Sequence, residues 1–209
     1  MNSFIRNCKG IKNNDMISNA SFNLLLDYLQ KFAVIRPALV HQLRPLLHEV
    51  VVLKGEVLLP KGIIHNLVFF IVNGVCMEVT THPDTGKKET SWIWFKGDFI
   101  YVSPGFFSQQ TAGTSAEALQ ESVLIYVTYQ DFVTLRFNNE EVDRLSELIR
   151  DHYYFALKLH ALDLAGLTNQ QRYDKFIGKH PKALLTLNHK HITSFLGIRD
   201  KGLGRYGLR

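Results

Sequence analysis

The sequence predicts an α+β protein: a series of short antiparallel strands, then one long helix, then a small basic helical unit. Three observations carry this. Between residues 48 and 128, runs of four to seven residues rich in Val, Ile, Phe and Trp alternate with Gly-containing turns, the spacing of an antiparallel sandwich or barrel. From 141 to 164 the chain runs 24 residues without Pro or Gly. Beyond residue 166 it turns basic: residues 167–209 hold nine Lys/Arg against Asp174 and Asp200, a net of +7, whereas the first 166 residues net −2. A local excess of that size points to a polyanionic partner.

Residues 1–18 are polar and read as a loose arm. Residues 20–48 carry apolar side chains at helical spacing, broken by Pro37 and Pro45, which predicts two or three short helices. The strand series follows: 49–53, 56–60, 67–72, 75–81, 90–95, 99–102, 116–120 and 122–128. The turns between them fall at Lys54-Gly55, Lys61-Gly62, Asn73-Gly74, the 82–88 loop, Gly97-Asp98 and the 103–115 segment. Asn73-Gly74 reads as a tight hairpin turn, since both of its positions favour positive φ. Trp92 and Trp94 stand two apart and so share a face, that of the sheet core. Residues 128–137 form a short helix leading into the long one.

In the long stretch, Leu145, Leu148, His152, Phe155, Leu159 and Leu162 recur at alternating steps of three and four. They lie in one row along a helix of about 36 Å. A seam this narrow suits packing against a copy of itself, so the chain is expected to be a homodimer. Asn138 and Asn139 followed by Glu140 and Glu141 supply a cap and an acidic first turn, and Gly166 marks the end. Thr168 with Gln171 three residues on is a capping box that opens a further helix, due to stop near Lys179 ahead of Pro181. In residues 189–206 the apolar positions Ile192, Leu196, Ile198, Leu203 and Tyr206, with Gly197 at the bend, fit a helix-turn-helix. Asp200 can cap its second helix, which would enter a major groove. The DNA-facing candidates are Arg199, Lys201, Gly202, Arg205 and Arg209, with Lys182 and Lys190 placed to meet phosphate. Gly202, Gly204 and Gly207 fall in that helix, at about 0.8–1 kcal/mol each relative to Ala.

Several of these residues carry a family resemblance. The order Lys54-Gly55-Glu56, Gly62, 69–74 (FFIVNG), Gly86 and Gly97-Asp98-Phe99 resembles the cyclic-nucleotide-binding β-roll. Residues 194–205 (SFLGI-x₄-L-x-R) resemble the SYLGI-x₄-LSR pattern of Crp/Fnr transcription regulators, as do Arg172-Tyr173 and the following Pro181. The resemblance covers roughly residues 20–209 and implies three units: a β-roll sensor over 1–137, a dimerisation helix over 138–166 and a winged-helix-like reader over 167–209. It implies double-stranded DNA carrying an inverted repeat, a second copy of the chain, and RNA polymerase as partners. The alternative is a dimeric ligand-binding module whose reader contacts protein.

The family's phosphate cassette is replaced. Tyr101-Val102 stand where Gly-Glu would be, Ala112-Gly113 stand near the Arg-Ser slot, and no Arg or Lys occurs from 98 to 130. A buried phosphate without a cation is costly, so cyclic nucleotides are not expected to bind in the usual mode. The remaining pocket candidates are Tyr101, Ser103, Phe106, Phe107, Thr111, Thr114 and Ser115, neutral groups that suit a small uncharged effector. No cofactor or metal is expected, since Cys8 and Cys76 are the two cysteines and the nine histidines are scattered. No catalytic pairing appears in a local motif, so the chain does not read as an enzyme. Without an apolar signal core or a membrane-length apolar run it is expected to be cytoplasmic.

Overall fold

The computed structural model describes the backbone of residues 12–14 and the whole of residues 17–82 and 84–198. The loose arm expected over residues 1–18 is corrected in part: residues 12–14 form a strand paired with 49–51, Ile17 is buried and Ser18 caps the first helix. Residues 1–11, 15 and 16, and positions 199–209 with Arg199, Asp200, Lys201, Gly202, Arg205 and Arg209, lie outside the described residues. The fold is α+β. Two short helices, α1 (Asn19–Leu29) and α2 (Pro37–Leu43), and a 3₁₀ turn (Arg44–Leu46) lie between the first strand and the others. Pro37 opens α2 as its first residue, where a missing N–H costs nothing.

The strands after β1 (Lys12–Asn14) are β2 (His48–Val52), β3 (Val57–Leu59), β4 (Leu67–Asn73), β5 (Cys76–Thr81), β6 (Lys88–Trp94), β7 (Phe99–Ile100), β8 (Ser115–Ala118) and β9 (Ser122–Thr128). Among the described residues they form two antiparallel sheets, ordered β1-β2-β9-β4-β7 and β3-β8-β5-β6. One core draws on both sheets: Val50, Phe69, Ile71 and Leu124 from the first, and Leu59, Cys76, Trp94 and Ala116 from the second. Burial in this core pushes the Cys76 thiol up to about 12, which leaves it inert as a nucleophile.

Asn73-Gly74 does not make a hairpin. β4 pairs with β7 and β9, whereas β5 belongs to the other sheet, so this turn carries the chain between sheets. Only its glycine takes positive φ, +120°. A Cβ there would lie 2.1 Å from Ser122 Oγ and 2.8 Å from Ser122 Cα. Gly74→Ala should therefore lower stability by about 1–3 kcal/mol in urea unfolding. A Ser122→Gly background should recover only part of this, because the backbone clash and the φ strain persist. Full recovery would show that the Ser122 side chain alone sets the requirement.

β9 runs into α3 (Tyr129–Asn138) and then α4 (Glu140–Gly166), the long helix. Its first turn is acidic as expected, through Glu140, Glu141 and Asp143. Asn139 does not cap it in the usual way: its amide donates to Leu135 O and to Gln42 Oε1, so its side chain ties α3 and α2 to the helix start. The capping box at Thr168 is present and opens α5 (Asn169–Lys179). α6 (Ala183–Thr186) and α7 (His189–Phe195) follow, and Gly197 takes φ +62° at the bend after α7.

The four-stranded sheet is apolar on both faces. Cys76 and Trp94 point into the roll; Met77, Val79 and Ile93 point out. The outward set shares a second core with Tyr173, Phe176, Ala183, Leu187, Ile192, Leu196 and Ile198. The helices after residue 167 thus cover the outer face of the roll.

Candidate effector groove and nucleic-acid interface

The 103–115 segment and α4 enclose a groove of about 330 Å³. Tyr101, Ser103, Gly105, Phe107 and Ser108 line one wall, and Arg150, Tyr154 and Leu157 of α4 line the other. Three sequence candidates meet there: Tyr101, Ser103 and Phe107. Tyr101 meets Phe107 edge-on at 5.2 Å and Tyr153 at 5.7 Å. Burial raises its hydroxyl to about 12, with Arg150 pulling the other way.

The other four candidates lie elsewhere. Phe106 is fully buried in an aromatic cluster with Phe107, Tyr129 and Phe132, so it supports the wall from behind. Thr111 is exposed and pairs with Ile64 in an isolated bridge. Thr114 Oγ1 donates to Glu78 Oε1 at 2.5 Å, and burial holds that carboxyl above its ordinary value. Ser115 pairs with Val79 across the four-stranded sheet. At the cassette slots Val102 and Ala112 are buried apolar side chains.

Sequence reasoning missed Arg150. Its guanidinium stands 5.4 Å from the Phe107 ring centre and supplies the cation that residues 98–130 lack. The groove is thus not lined by neutral groups alone. The signal was present in the spacing of Arg150, Tyr154 and Leu157, three and four apart on α4 and off the apolar seam.

The seam residues divide. Leu145 sits with Val142, Ile149 and Tyr153 in the core of the roll, so this expected seam position is taken up within the chain. Leu148 is half-buried. Phe155, Leu159 and Leu162 are 60%, 42% and 59% exposed, on a helix that also exposes Tyr154, Leu157 and Leu164. His152 lies beside them and meets Phe32 and Tyr153 edge-on. Tyr153 fixes the helix to the roll: its hydroxyl accepts from Phe99 N at 2.6 Å and donates to Asp98 Oδ1 at 3.2 Å.

At the basic end, Lys182 and Lys190 are exposed, the first at the N-terminus of α6 and the second in the first turn of α7. Ile192, Leu196 and Ile198 are buried together in the second core, with Met77, Val79 and Ile93. Leu203 and Tyr206 lie outside the described residues.

No family model matches the sequence, and no curated protein matches it. Solved structures do. A cyclic nucleotide-binding domain from Methylobacillus flagellatus KT superposes with a TM-score of 0.63 at 14% identity, over 73% of this chain and 86% of its own. FixK2 from Bradyrhizobium japonicum gives 0.66 at 17%, over 75% and 80%. The c-di-GMP responsive global regulator CLP of Xanthomonas campestris gives 0.61 at 13%, over 81% and 89%. At such identities the likeness establishes the fold alone: a cyclic-nucleotide-binding-type β-roll within an α+β chain. Among the described residues no helix is long and apolar enough to cross a membrane.

Proposed function

We propose that the chain is a homodimeric DNA-binding transcription regulator of the Crp/Fnr type. Residues 1–137 serve as the sensor, 138–166 as the dimerisation helix and 167–209 as the reader. The observation that carries this is one continuous helix. α4 leaves the roll with Phe155, Leu159 and Leu162 exposed, and leads into helices that end at the Gly197 bend, where a basic stretch begins. Exposed large apolar side chains in a row mark an association surface. Pairing through it would present two readers to one duplex, hence the preference for an inverted repeat. The fold shared with FixK2 and the regulator CLP supports the reading. The effector site is the groove beside Arg150, suited to a small, largely apolar molecule; buried apolar Val102 and Ala112 stand at the slots where the usual cassette carries its Glu and Arg. The chain acts in the cytoplasm, and RNA polymerase is a further partner.

Selection from a random duplex library tests the proposal. An inverted repeat should enrich, with half-sites about 34 Å apart and affinity falling steeply with salt. Arg205→Ala should cost about 1–3 kcal/mol on the selected site and little on random DNA, whereas Lys190→Ala should weaken both alike. If nothing enriches and no binding remains at about 150 mM salt, DNA reading fails and the reader is a protein-contact module.

A further inference from the structure

We infer that the reader helices are latched to the outer face of the sensor's four-stranded sheet by three histidines, His160, His180 and His191, and that acidification loosens this latch. The contact is extensive. Beyond the shared core of Met77, Val79 and Ile93 with Ile192, Leu196 and Ile198, the reader covers an open sheet edge. β6 is the edge strand of its sheet. The N–H of Thr90 in β6 donates to Ser194 Oγ of α7 at 2.8 Å. Covering an edge strand with a helix removes its unpaired amides from other partners.

The histidines lie along this contact. His160 of α4 stacks flat on Phe195 of α7, 4.1 Å and 2° apart, and meets Trp92 of β6 edge-on at 5.7 Å. His180, at the end of α5, stacks on Phe95 just after β6, 3.9 Å and 10° apart, with Phe176 beside it. His191 Nδ1 lies 3.3 Å from Thr90 Oγ1. Each imidazole therefore bridges the roll and the reader, or braces the ring that does.

The surrounding charges oppose protonation at His180 and are mixed at His160 and His191. His160 faces Asp163 on its own helix and Arg172 and Lys175 on α5, and Lys175 already pairs with Asp163. His180 adjoins Lys179 and shares a cavity of about 320 Å³ with Lys96 and Asp98 of the sensor. His191 faces Lys190, Lys54 and Glu117, and the recess beside it also holds Lys87, Lys88 and Glu89. An imidazolium keeps some attraction to the face of Phe95 or Phe195, but it loses its hydration and meets these lysines.

Burial is the largest cause of the result: His180 is held down to about 4, and His160 and His191 below the ordinary 6.5. Because the latched value lies below the released one, a proton binds preferentially to the released state. The latch is at full strength above about pH 6.5 and weakens as pH falls toward 4.

Hydrogen exchange on the full chain tests this. The protection factor of the Thr90 amide, normalised for intrinsic exchange, reports the latch equilibrium directly. With His180 moving from 6.5 to about 4, it should fall roughly 30-fold between about pH 7.5 and pH 5 from this residue alone. Core amides of β9 should keep their protection. His180→Phe, which preserves the stack, should remove most of the fall. Titrating the histidines of the unsubstituted chain by NMR gives a check that needs no variant: His180 should titrate well below 6.5. A flat Thr90 profile, an equal fall in His180→Phe, or an ordinary His180 titration would each overturn the latch. So would a matching loss at the β6 amides bonded to β5, which would show that the strand frays by itself.

Discussion

Arg172→Ala should release helices α5–α7 from the end of α4 while leaving the β-roll folded. Arg172 is 9% exposed, and the acceptors around it are carbonyls and an amide oxygen. Its Nε donates to Leu196 O at 2.7 Å, Nη1 to Leu167 O at 2.6 Å and Nη2 to Asn169 Oδ1 at 2.6 Å, with longer contacts to Leu164 O and Gly197 O. One planar guanidinium thus ties the last carbonyls of α4, the start of α5 and the bend after α7. Hydrogen bonds to a charged group contribute about 1.5–3 kcal/mol each. Of the three short bonds, losing the two to the backbone carbonyls of Leu196 and Leu167 should cost about 3–6 kcal/mol locally. In hydrogen exchange, amides of residues 169–198 should lose protection by a hundredfold or more, on the order of that cost, while β4 and β9 stay protected. Arg172→Lys should recover less than half, since one ammonium cannot span the fork. Unchanged protection of α5 and α7 in Arg172→Ala would remove the tie.

This tie shows what the sequence could and could not reveal. Arg172-Tyr173 stood out as a pattern, but nothing local says that its guanidinium will collect carbonyls 24 residues downstream. Features set within one turn were legible: the Thr168–Gln171 capping box, Pro37 at the start of α2, and Gly197 at positive φ. The strand series was legible because its alternation and turns are local too. Pairing was not. Asn73-Gly74 carries a strong hairpin signal, yet sheet membership is set by which strands share a core, and that sends β5 to the other sheet. The run around Met77 and Val79 gave no sign that its outward face would be covered, because a face buried by a distant helix looks like any apolar strand. Arg150 was hidden for the same reason: the groove is built from two segments more than forty residues apart, and the search for a cation stayed within one of them. Leu145 fitted the heptad, but a helix packed on a roll lends part of its stripe to its own protomer.

Phe155→Asp with Leu159→Asp should convert the protein from a dimer to a monomer and abolish binding to an inverted repeat. Both side chains are exposed in the protomer, so its fold should survive their loss, and circular dichroism should stay close to that of the parent. Each large apolar side chain contributes about 1.5–3 kcal/mol when fully buried. Two residues from each of two copies therefore remove about 6–12 kcal/mol of gross association energy. The four carboxylates would add repulsion across the seam, or a desolvation cost if they stayed. Losses of this size are comparable to or larger than the whole association energy of a micromolar dimer, about 8 kcal/mol. Light scattering should thus report the 24.0 kDa protomer for the variant and about twice that for the parent. Leu145→Ala separates the two roles of the helix. Leu145 is buried within the protomer, so this change should cost about 2–5 kcal/mol of fold stability with a smaller effect on association. A parent that is monomeric at micromolar concentration, or a double variant that remains dimeric, would refute α4 as the dimer seam. DNA binding that survived in a monomeric variant would leave the seam intact and break its link to the operator's symmetry.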